Sequence, residues 1–237
     1  MLKPTQKTIQ FYATSSYSCS YIPPREARSL VAAPSHLING PIYDALIDLG
    51  FRRSGTFTYR PHCDHCQACT PIRVNAAQFK PSRNHRRTLK QFQHLRTSHK
   101  PLVWNAEHYA LYREYQALRH TGSDMDNDDK SQYIDFLLSS NVNSFLVEFR
   151  DGEQLKMVAL VDEVAHGWSA VYTFFDPHTA GLGTYAILWQ LNYCKQAELS
   201  WLYLGYWIEQ IPNMAYKTRF QPYQLYLNNQ WVYPIPD

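Results

Sequence analysis

Four cysteines in the first third of the chain could do chemistry together. Cys63, Cys66 and Cys69 form a CxxCxxC array, and Cys19 supplies a fourth thiol. Clustered thiols of this kind are typical ligands of zinc and of iron–sulfur clusters, although a CxxCxxC without a second CxxC is only half of a zinc ribbon. Two hypotheses follow: a zinc or iron–sulfur site at these four residues, or reduced thiols packed in a small core.

A cationic strip follows the cysteines, and it contains no acidic residue between Arg73 and Arg87. The charge is uneven over the whole chain. Residues 1–100 carry 15 Lys+Arg and 4 Asp+Glu, a net charge of +11, whereas residues 101–237 carry 8 and 16, a net charge of −8. A solvated basic face is one explanation. Because the charge spreads over an entire half and is interleaved with aromatic residues, it favours a protein that binds a nucleic-acid backbone.

The second half of the chain has the pattern of sheet and helix around a glycine-containing loop. The predicted order is three antiparallel strands, the loop, a helix and another strand, at Ser144–Arg150, Leu155–Asp162, Trp168–Phe175, Gly181-Leu-Gly183, residues 184–197 and Trp201–Leu204. Backbone N–H groups at a helix start can bind an anion, and glycine lets the ligand approach the backbone. A simple turn is the alternative, but the order is that of the acetyltransferase-like (GNAT) fold.

We therefore predict an α+β protein in two parts. Residues 1–100 form a smaller basic N-terminal region with the cysteine cluster, and residues 101–237 form a GNAT-like transferase domain with a mixed sheet and helices. Further predicted elements are a helix at Pro41–Leu49, a strand pair within Phe51–Arg60, helices at 84–99, Ala106–Arg119 and Lys130–Leu138, and an acidic loop at Thr121–Asp129.

The composition limits the class of protein. Hydrophobic residues make up 45% and charged residues 18% of the 237 residues, as in globular proteins. There is no uncharged apolar run long enough to span a membrane, and the first residues lack the apolar core of a signal peptide. We expect a cytoplasmic protein with no membrane partner, and the five cysteines then favour thiols or ligands over disulfides. The oligomeric state is not indicated by the sequence.

Motifs along nearly the whole chain, in order, resemble the aminoacyl-tRNA–protein transferases of the N-degron pathway. The matching segments are Cys19–Pro23, Tyr59-Arg60-Pro61 with the CxxCxxC array, Pro71–Val74, Phe79–Arg83 through Arg87, Val171–Pro177, Gly181–Tyr185, Tyr203–Ile208 and Met214–Lys217. The compact length is similar to the bacterial leucyltransferase branch. One departure is visible, since the family usually has a Ser-Gln pair where this chain has Asn84-His85.

The resemblance implies transfer of leucine from leucyl-tRNA to the N-terminal amine of proteins that begin with Asp or Glu, which marks them for degradation. An aminoacyl ester is already activated, so the reaction requires no cofactor and no enzyme nucleophile; holding the amine and the ester carbonyl in attack geometry can contribute roughly 7–11 kcal/mol. The alternatives are arginyl-tRNA as the donor, an acetyl-CoA-dependent N-acyltransferase on the same fold, and a metal-containing RNA-binding module without transferase activity.

Three residues are candidates for catalysis. Asp162 and Asp176 lie at predicted strand ends, where a carboxylate could accept the proton of the attacking amine. Tyr206 could stabilise the oxyanion or relay a proton to the leaving ribose hydroxyl. Each also has an ordinary structural interpretation: a turn entry for Asp162, an Asp-Pro strand end for Asp176 and core packing for Tyr206.

Other residues are candidates for substrate binding. We predict that Arg73 grips the acidic side chain of the acceptor through paired hydrogen bonds, with Tyr59 and Arg60 as second choices. The remaining predicted contacts are Arg83, Arg86 and Arg87 to tRNA phosphates, Gly181 and Gly183 to the phosphates and terminal adenosine, Tyr185, Leu188, Tyr206 and Trp207 to the leucyl side chain, and Tyr216 and Lys217 to substrate.

Overall fold

The computed structural model of the chain describes residues 8–119 and 129–234. The strands are β1 Gln10–Ala13, β2 Tyr17–Ser18, β3 Glu26–Ala27, β4 Ser29–Ala33, β5 Arg52–Ser54, β6 Phe57–Pro61, β7 Thr70–Asn75, β8 Arg96–Lys100, β9 Ser144–Asp151, β10 Gln154–Val164, β11 Gly167–Phe175, β12 Trp201–Trp207, β13 Tyr223–Leu227 and β14 Gln230–Val232. The α-helices are α1 Gly40–Asp48, α2 Arg83–Phe92, α3 Ala106–Arg119, α4 Lys130–Tyr133 and α5 Leu182–Gln196. A π-helical turn at Ile134–Leu138 extends α4, and 3₁₀ helices lie at Ser35–Leu37 and Pro212–Arg219.

A mixed sheet of eight strands forms the centre of the fold, in the order β14-β13-β7-β12-β11-β10-β9-β8. All of its neighbouring pairs are antiparallel except β11 and β12, which are parallel and joined through α5. A second sheet of four antiparallel strands has the order β1-β4-β6-β5, and β2 pairs with β3. The mixed α+β class is confirmed.

Three hydrophobic clusters attach the other elements to the large sheet. Helices α2 and α5 cover one face, where Phe92 and Leu188 belong to the same hydrophobic cluster as Val147, Phe149 and Met157 of the sheet. On the opposite face, α3, α4 and the π-helical turn pack over β9, β10 and β11. The same face is covered over β12 by α1 and the four-stranded sheet. The small sheet is therefore positioned to reach the centre of the large one.

Local sequence explains where the helices begin. The side chain of Asn39 accepts a hydrogen bond from the N–H of Ile42 at the start of α1, an ordinary N-cap. At α2, Ser82 and His85 form a reciprocal capping box, in which Ser82 Oγ accepts from His85 N–H and His85 Nδ1 accepts from Ser82 N–H. Helix α5 begins after Gly181, whose φ of +98° favours glycine.

Most predicted elements are confirmed, and two segments differ. The helix predicted at 84–99 ends at Phe92, and Arg96–Lys100 is the edge strand β8, with four of its five residues exposed. Residues 70–75, predicted only as part of a basic strip, form the inner strand β7. The acidic loop predicted at Thr121–Asp129 lies, up to residue 128, outside the described residues.

The predicted division at residue 100 stays a prediction. Strands β7 and β8 precede that residue and hydrogen bond into the large sheet together with strands from the second half. Among the described helices, none has the length and apolar character needed to cross a membrane.

Candidate active site

The two parallel strands β11 and β12 separate in the middle of the large sheet. They pair only where Gly167–Ser169 lies beside Trp201–Tyr203, although both strands continue beyond this point. The pairing of β12 with β7 also shifts between Tyr203 and Tyr206, and Gly205 within the shift has a φ of +79°. The backbone therefore leaves a gap between β11 and β12 that begins after Ser169 and Tyr203.

Arg52 of the small sheet extends into this gap. Its Nη2 donates a hydrogen bond of 2.9 Å to the carbonyl oxygen of Ala170, one residue after the pairing of β11 and β12 ends. A Cβ on Gly205 would lie 1.8 Å from Nη1 of Arg52, so only glycine leaves room for the guanidinium. Arg52 was missed by sequence reasoning, because adjacent arginines in a short strand carry no motif that indicates insertion into another sheet.

A cavity of about 620 Å³ extends from Tyr206 of β12 to the small sheet and the cysteine segment, and it is lined by several predicted site residues. Tyr59, Arg60, Tyr206 and all four clustered cysteines border it. The Arg60 guanidinium donates to the carbonyl oxygen of Leu49 and lies over the ring of Phe51, 5.1 Å from its centroid. Burial raises the pKa of Tyr59 above its usual value, so its hydroxyl stays protonated near neutral pH.

The four thiols are close together, as the sequence suggests, but their contacts are those of ordinary side chains. Burial, followed by the charges of Cys63, Cys19 and Cys66, raises the pKa of Cys69 to about 11. Cys66 Sγ accepts a hydrogen bond from Arg25, and Cys63 Sγ donates to the carbonyl oxygen of Arg28. In the part of the chain that the structure describes, no three His, Cys, Asp or Glu side chains are arranged to hold a metal ion. The geometry does not support the zinc or iron–sulfur hypothesis.

Tyr206 lies at the edge of the cavity with its hydroxyl already bonded. The hydroxyl donates to the carbonyl oxygens of Gly50, at 3.0 Å, and Tyr59, at 3.3 Å. Burial raises the pKa of Tyr206 far above its usual value. The side chain therefore joins β12 to the small sheet.

The 3₁₀ helix after β12 carries Tyr216 and Lys217. Lys217 Nζ donates a 2.6 Å hydrogen bond to the carbonyl oxygen of Tyr206. Burial, followed by the charge of Arg52, lowers the pKa of Lys217 to about 7. Tyr216 is 40% exposed, and Trp207 is half-buried at the end of β12. The roles of these three residues as substrate contacts stay predictions.

Asp162 does not reach a cavity surface. Its side chain is fully buried and accepts two hydrogen bonds from the Arg53 guanidinium, at 2.8 and 2.5 Å, and one from Ser144 Oγ at 2.7 Å. Arg53 in turn donates to the carbonyl oxygens of Gly55 and Ser139. The pair joins the small sheet to β9 and β10 and leaves the carboxylate no access to a substrate.

Asp176 holds the loop before α5. Its carboxylate accepts hydrogen bonds from Lys156 Nζ at 2.9 Å, from the Thr179 hydroxyl at 2.8 Å and from the backbone N–H of His178 at 3.0 Å. Burial raises the pKa of Asp176, but the hydrogen bonds from Lys156, Thr179 and His178 outweigh it, and the pKa lies below its usual value. The carboxylate is therefore a poor proton acceptor.

Arg73 is enclosed by aromatic rings on the face that α1 covers. Its guanidinium lies between Trp201 and Trp231, 3.8 and 4.3 Å from the ring centroids. Nε and Nη2 donate to Gln224 Oε1, while Nη1 lies 3.2 Å from both Asp48 Oδ1 and the Tyr203 hydroxyl. The side chain is 11% exposed, and each of its nitrogens has a partner.

Helix α2 presents a basic surface next to the start of α5. Arg83, Arg86 and Arg87 are exposed, and none of them is in an ion pair with a described residue. Phe92 of α2 lies against Gly181, where a Cβ would approach its ring to 3.2 Å, and packs on Tyr185 at 5.3 Å between ring centroids. The arginines and the glycine loop therefore lie on neighbouring elements.

Two other predicted contacts on α5 lie in the core. Tyr185 and Leu188 are 5% and 1% exposed and belong to the hydrophobic cluster beneath the helix, so neither lines the cavity. Gly183 is close to the Phe175 ring, 3.1 Å from where its Cβ would stand.

Comparison with known proteins identifies the family. Residues 17–87 match the family described as "Arginine-tRNA-protein transferase, N terminus", and residues 107–227 match the corresponding C terminus. A protein of Thiobacillus denitrificans named aspartate/glutamate leucyltransferase is 53% identical over 97% of this chain and 96% of its own length. One of the same name from Nitrosospira multiformis is 52% identical over 94% of this chain and 90% of its own.

A solved structure shares the fold at low sequence identity. The C-terminal domain of a protein described as a putative lysylphosphatidylglycerol synthetase, from Agrobacterium fabrum, superposes with a TM-score of 0.51 and 12% identity over 79% of this chain and 61% of that one. Together, the family matches and the relatives that align over nearly their full length define an aminoacyltransferase. The chain belongs to the arginine-tRNA-protein transferase family.

Proposed function

We propose that the chain transfers leucine from leucyl-tRNA to the α-amine of proteins whose first residue is Asp or Glu, marking them for degradation. The observation that carries this proposal is the identity of 53% and 52%, over nearly the full length, to proteins named aspartate/glutamate leucyltransferase. The basic face of α2 is consistent with a tRNA donor, because exposed arginines without acidic partners attract a phosphate backbone.

The gap between β11 and β12 is our proposed site of transfer. In a GNAT-like assignment of the large sheet, the acyl ester enters between the two separated parallel strands, and the amine approaches from the side of Arg52 and Lys217. Three features support this assignment: the strand order, the loss of pairing after Ser169 and Tyr203, and the fold shared with the Agrobacterium domain.

The proposed chemistry is aminolysis of an ester. The amine nitrogen attacks the leucyl carbonyl carbon, an amide bond forms, the ester C–O bond breaks, and the ribose hydroxyl departs with a proton that the amine gives up. The reference pKa of an α-amine is about 7.7–8.0, so a useful fraction is uncharged near neutral pH. Positioning then accounts for most of the rate enhancement, and no cofactor is required.

The contacts of individual residues refine their proposed roles. We assign Asp162 and Asp176 to structure, since both carboxylates are held by hydrogen bonds within the fold. Tyr206 and the four thiols form part of the cavity wall. Arg60, Trp207 and Tyr216 remain proposed substrate contacts, and Arg83, Arg86 and Arg87 remain proposed tRNA contacts.

A transfer assay tests the proposal. Purified protein is incubated with radiolabelled leucyl-tRNA or arginyl-tRNA and with peptides that begin with Asp, Glu, Arg or Ala. We expect label on the Asp and Glu peptides from leucyl-tRNA only. Equal transfer from arginyl-tRNA would favour the activity after which the family is named, and transfer to Arg or Ala peptides at the same rate would contradict the proposed acceptor.

A further inference from the structure

Two basic side chains, Arg52 and Lys217, lie at the gap without an acidic partner among the described residues. Within the part of the chain that the structure describes, Arg52 Nη2 donates one hydrogen bond to Ala170 and Lys217 Nζ donates one to Tyr206; both acceptors are backbone carbonyl oxygens. Neither side chain forms an ion pair with a carboxylate in residues 8–119 or 129–234. A cation that is partly removed from water normally gains a counter-charge from the protein, so this pair is incomplete without a ligand.

The tyrosines near Arg52 carry no negative charge near neutral pH. The charge of Arg52 acts on Tyr21, Tyr59, Tyr206 and Tyr216, but burial raises the pKa of each of these tyrosines, and they remain neutral. The nearby carboxylate of Asp162 already has both oxygens bound by Arg53. Burial and the charge of Arg52 disfavour the protonated form of Lys217, and an anion between the two cations would reverse this effect.

We propose that Arg52 and Lys217 bind the side-chain carboxylate of the acceptor's N-terminal Asp or Glu, an inference that rests on the proposed function. The attacking α-amine must reach the gap between β11 and β12, and only three bonds in Asp, or four in Glu, separate its nitrogen from the carboxyl carbon. A carboxylate partner must therefore border the same gap, as Arg52 does through its contact with Ala170.

The two side chains suit acceptors of two lengths. The guanidinium of Arg52 presents N–H groups in a rigid plane that matches a carboxylate, whereas the ammonium of Lys217 lies on a flexible stem. The flexible partner can follow the carboxylate when it moves by one methylene between Asp and Glu. The space that Gly205 leaves is essential to this arrangement, because a Cβ there would displace the guanidinium.

Arg73, the residue that the sequence indicates for this role, is less suitable. All of its nitrogens are engaged with Gln224, Asp48 or Tyr203, and its plane is covered by Trp201 and Trp231. Binding a substrate carboxylate would require it to give up these contacts.

The test combines charge removal in the protein with charge removal in the substrate. Lys217→Met and Arg52→Gln remove the two charges, and Arg52→Lys keeps the charge but loses the planar donors. Each variant is assayed with leucyl-tRNA and with peptides that begin with Asp or with the uncharged, isosteric Asn. Arg219→Met, an exposed position on the same 3₁₀ helix, is the matched control. Thermal denaturation verifies that each variant is folded.

We expect kcat/KM for the Asp peptide to fall about tenfold to a hundredfold in Lys217→Met, the size of effect typical of a lost charged hydrogen bond. The Asn peptide changes little, so the Asp-over-Asn preference collapses while KM for leucyl-tRNA is unchanged. Arg219→Met keeps the preference. An equal loss on both peptides, or a raised KM for leucyl-tRNA, in Lys217→Met and both Arg52 variants would overturn the inference. Failure of the unaltered protein to modify any Asp or Glu peptide would instead refute the proposed function.

Discussion

Asp162 accepts hydrogen bonds from Arg53 and Ser144 in a position with no solvent exposure. Removing one partner of a buried ion pair typically costs about 3–5 kcal/mol, because the other charge is left uncompensated. We predict that Asp162→Asn lowers the free energy of unfolding by roughly this amount, measured by urea denaturation.

Replacing both partners separates a structural role from a catalytic one. Asp162→Leu combined with Arg53→Met removes the charges together and is expected to recover much of the lost stability, since no unpaired charge remains. Transfer activity per folded molecule should recover with it. A stable double variant whose kcat stays several orders of magnitude low would contradict the structural assignment and restore Asp162 as a general base.

Arg73 and Arg52 illustrate what residue types alone can and cannot indicate. The sequence identifies Arg73 as a candidate but does not show that Trp201, Gln224 and Trp231, more than 120 residues away, occupy its guanidinium. Arg52 depends on the absence of a side chain at Gly205. Contacts between distant residues of this kind follow from the sheet register, which a single sequence does not determine.

At the scale of elements, the sequence predicts the strands and helices with strong periodicity, but it does not predict the strands β7 and β8. The β9–β10 hairpin turns at Gly152, whose φ is +56°, as the Asp-Gly pair indicates. Strand β8 has no apolar alternation because it is an edge strand, where charged side chains are common. Strand β7 contains Arg73, the first residue of the basic strip, and its place inside the large sheet becomes clear only from its pairing with β12 and β13.

The start of α2 shows how one departure from the family motif fits the fold. His85 stands where a capping box usually has Glu or Gln, and its Nδ1 accepts the hydrogen bond only while it is unprotonated. The imidazole stacks on Phe220 and also contacts Phe79, and burial lowers the pKa of His85 below its usual value.

A pH dependence of stability follows from this cap. Because the folded-state pKa of His85 is lower than the unfolded value, the unfolded chain binds the proton first as pH falls. The stabilising contribution is complete above the unfolded pKa of about 6.5 and is lost as pH falls toward the folded pKa. We predict that His85→Gln, which keeps an acceptor at this position, removes the part of the loss of stability at low pH that comes from protonation of His85. Denaturation midpoints of both proteins, compared on either side of the ordinary histidine pKa of about 6.5, measure it; parallel midpoints across the range would contradict the assignment.

At the scale of the whole molecule, part of the excess positive charge of the sequence lies exposed on one face of the large sheet. Arg83, Arg86 and Arg87 lie exposed on α2, which covers one face of the large sheet, while α4 with its exposed Lys130 lies on the opposite face. A long polyanion that approaches the α2 face also approaches the glycine loop at the start of α5. Charge and fold together therefore favour one orientation of the tRNA.

The salt dependence of tRNA binding tests that orientation. Each lost phosphate contact reduces the slope of log K against log salt by about 0.7–0.9. Replacing Arg83, Arg86 and Arg87 together by Ala should therefore flatten the slope by about two to three units, with no change in the preference for leucyl-tRNA, as measured by filter binding from low to moderate salt. Lys130→Ala, which removes a positive charge from the other face, should leave the slope unchanged. A triple variant with the slope of the unaltered protein would place the tRNA on another surface, because phosphates that contact these arginines must release counterions when they bind.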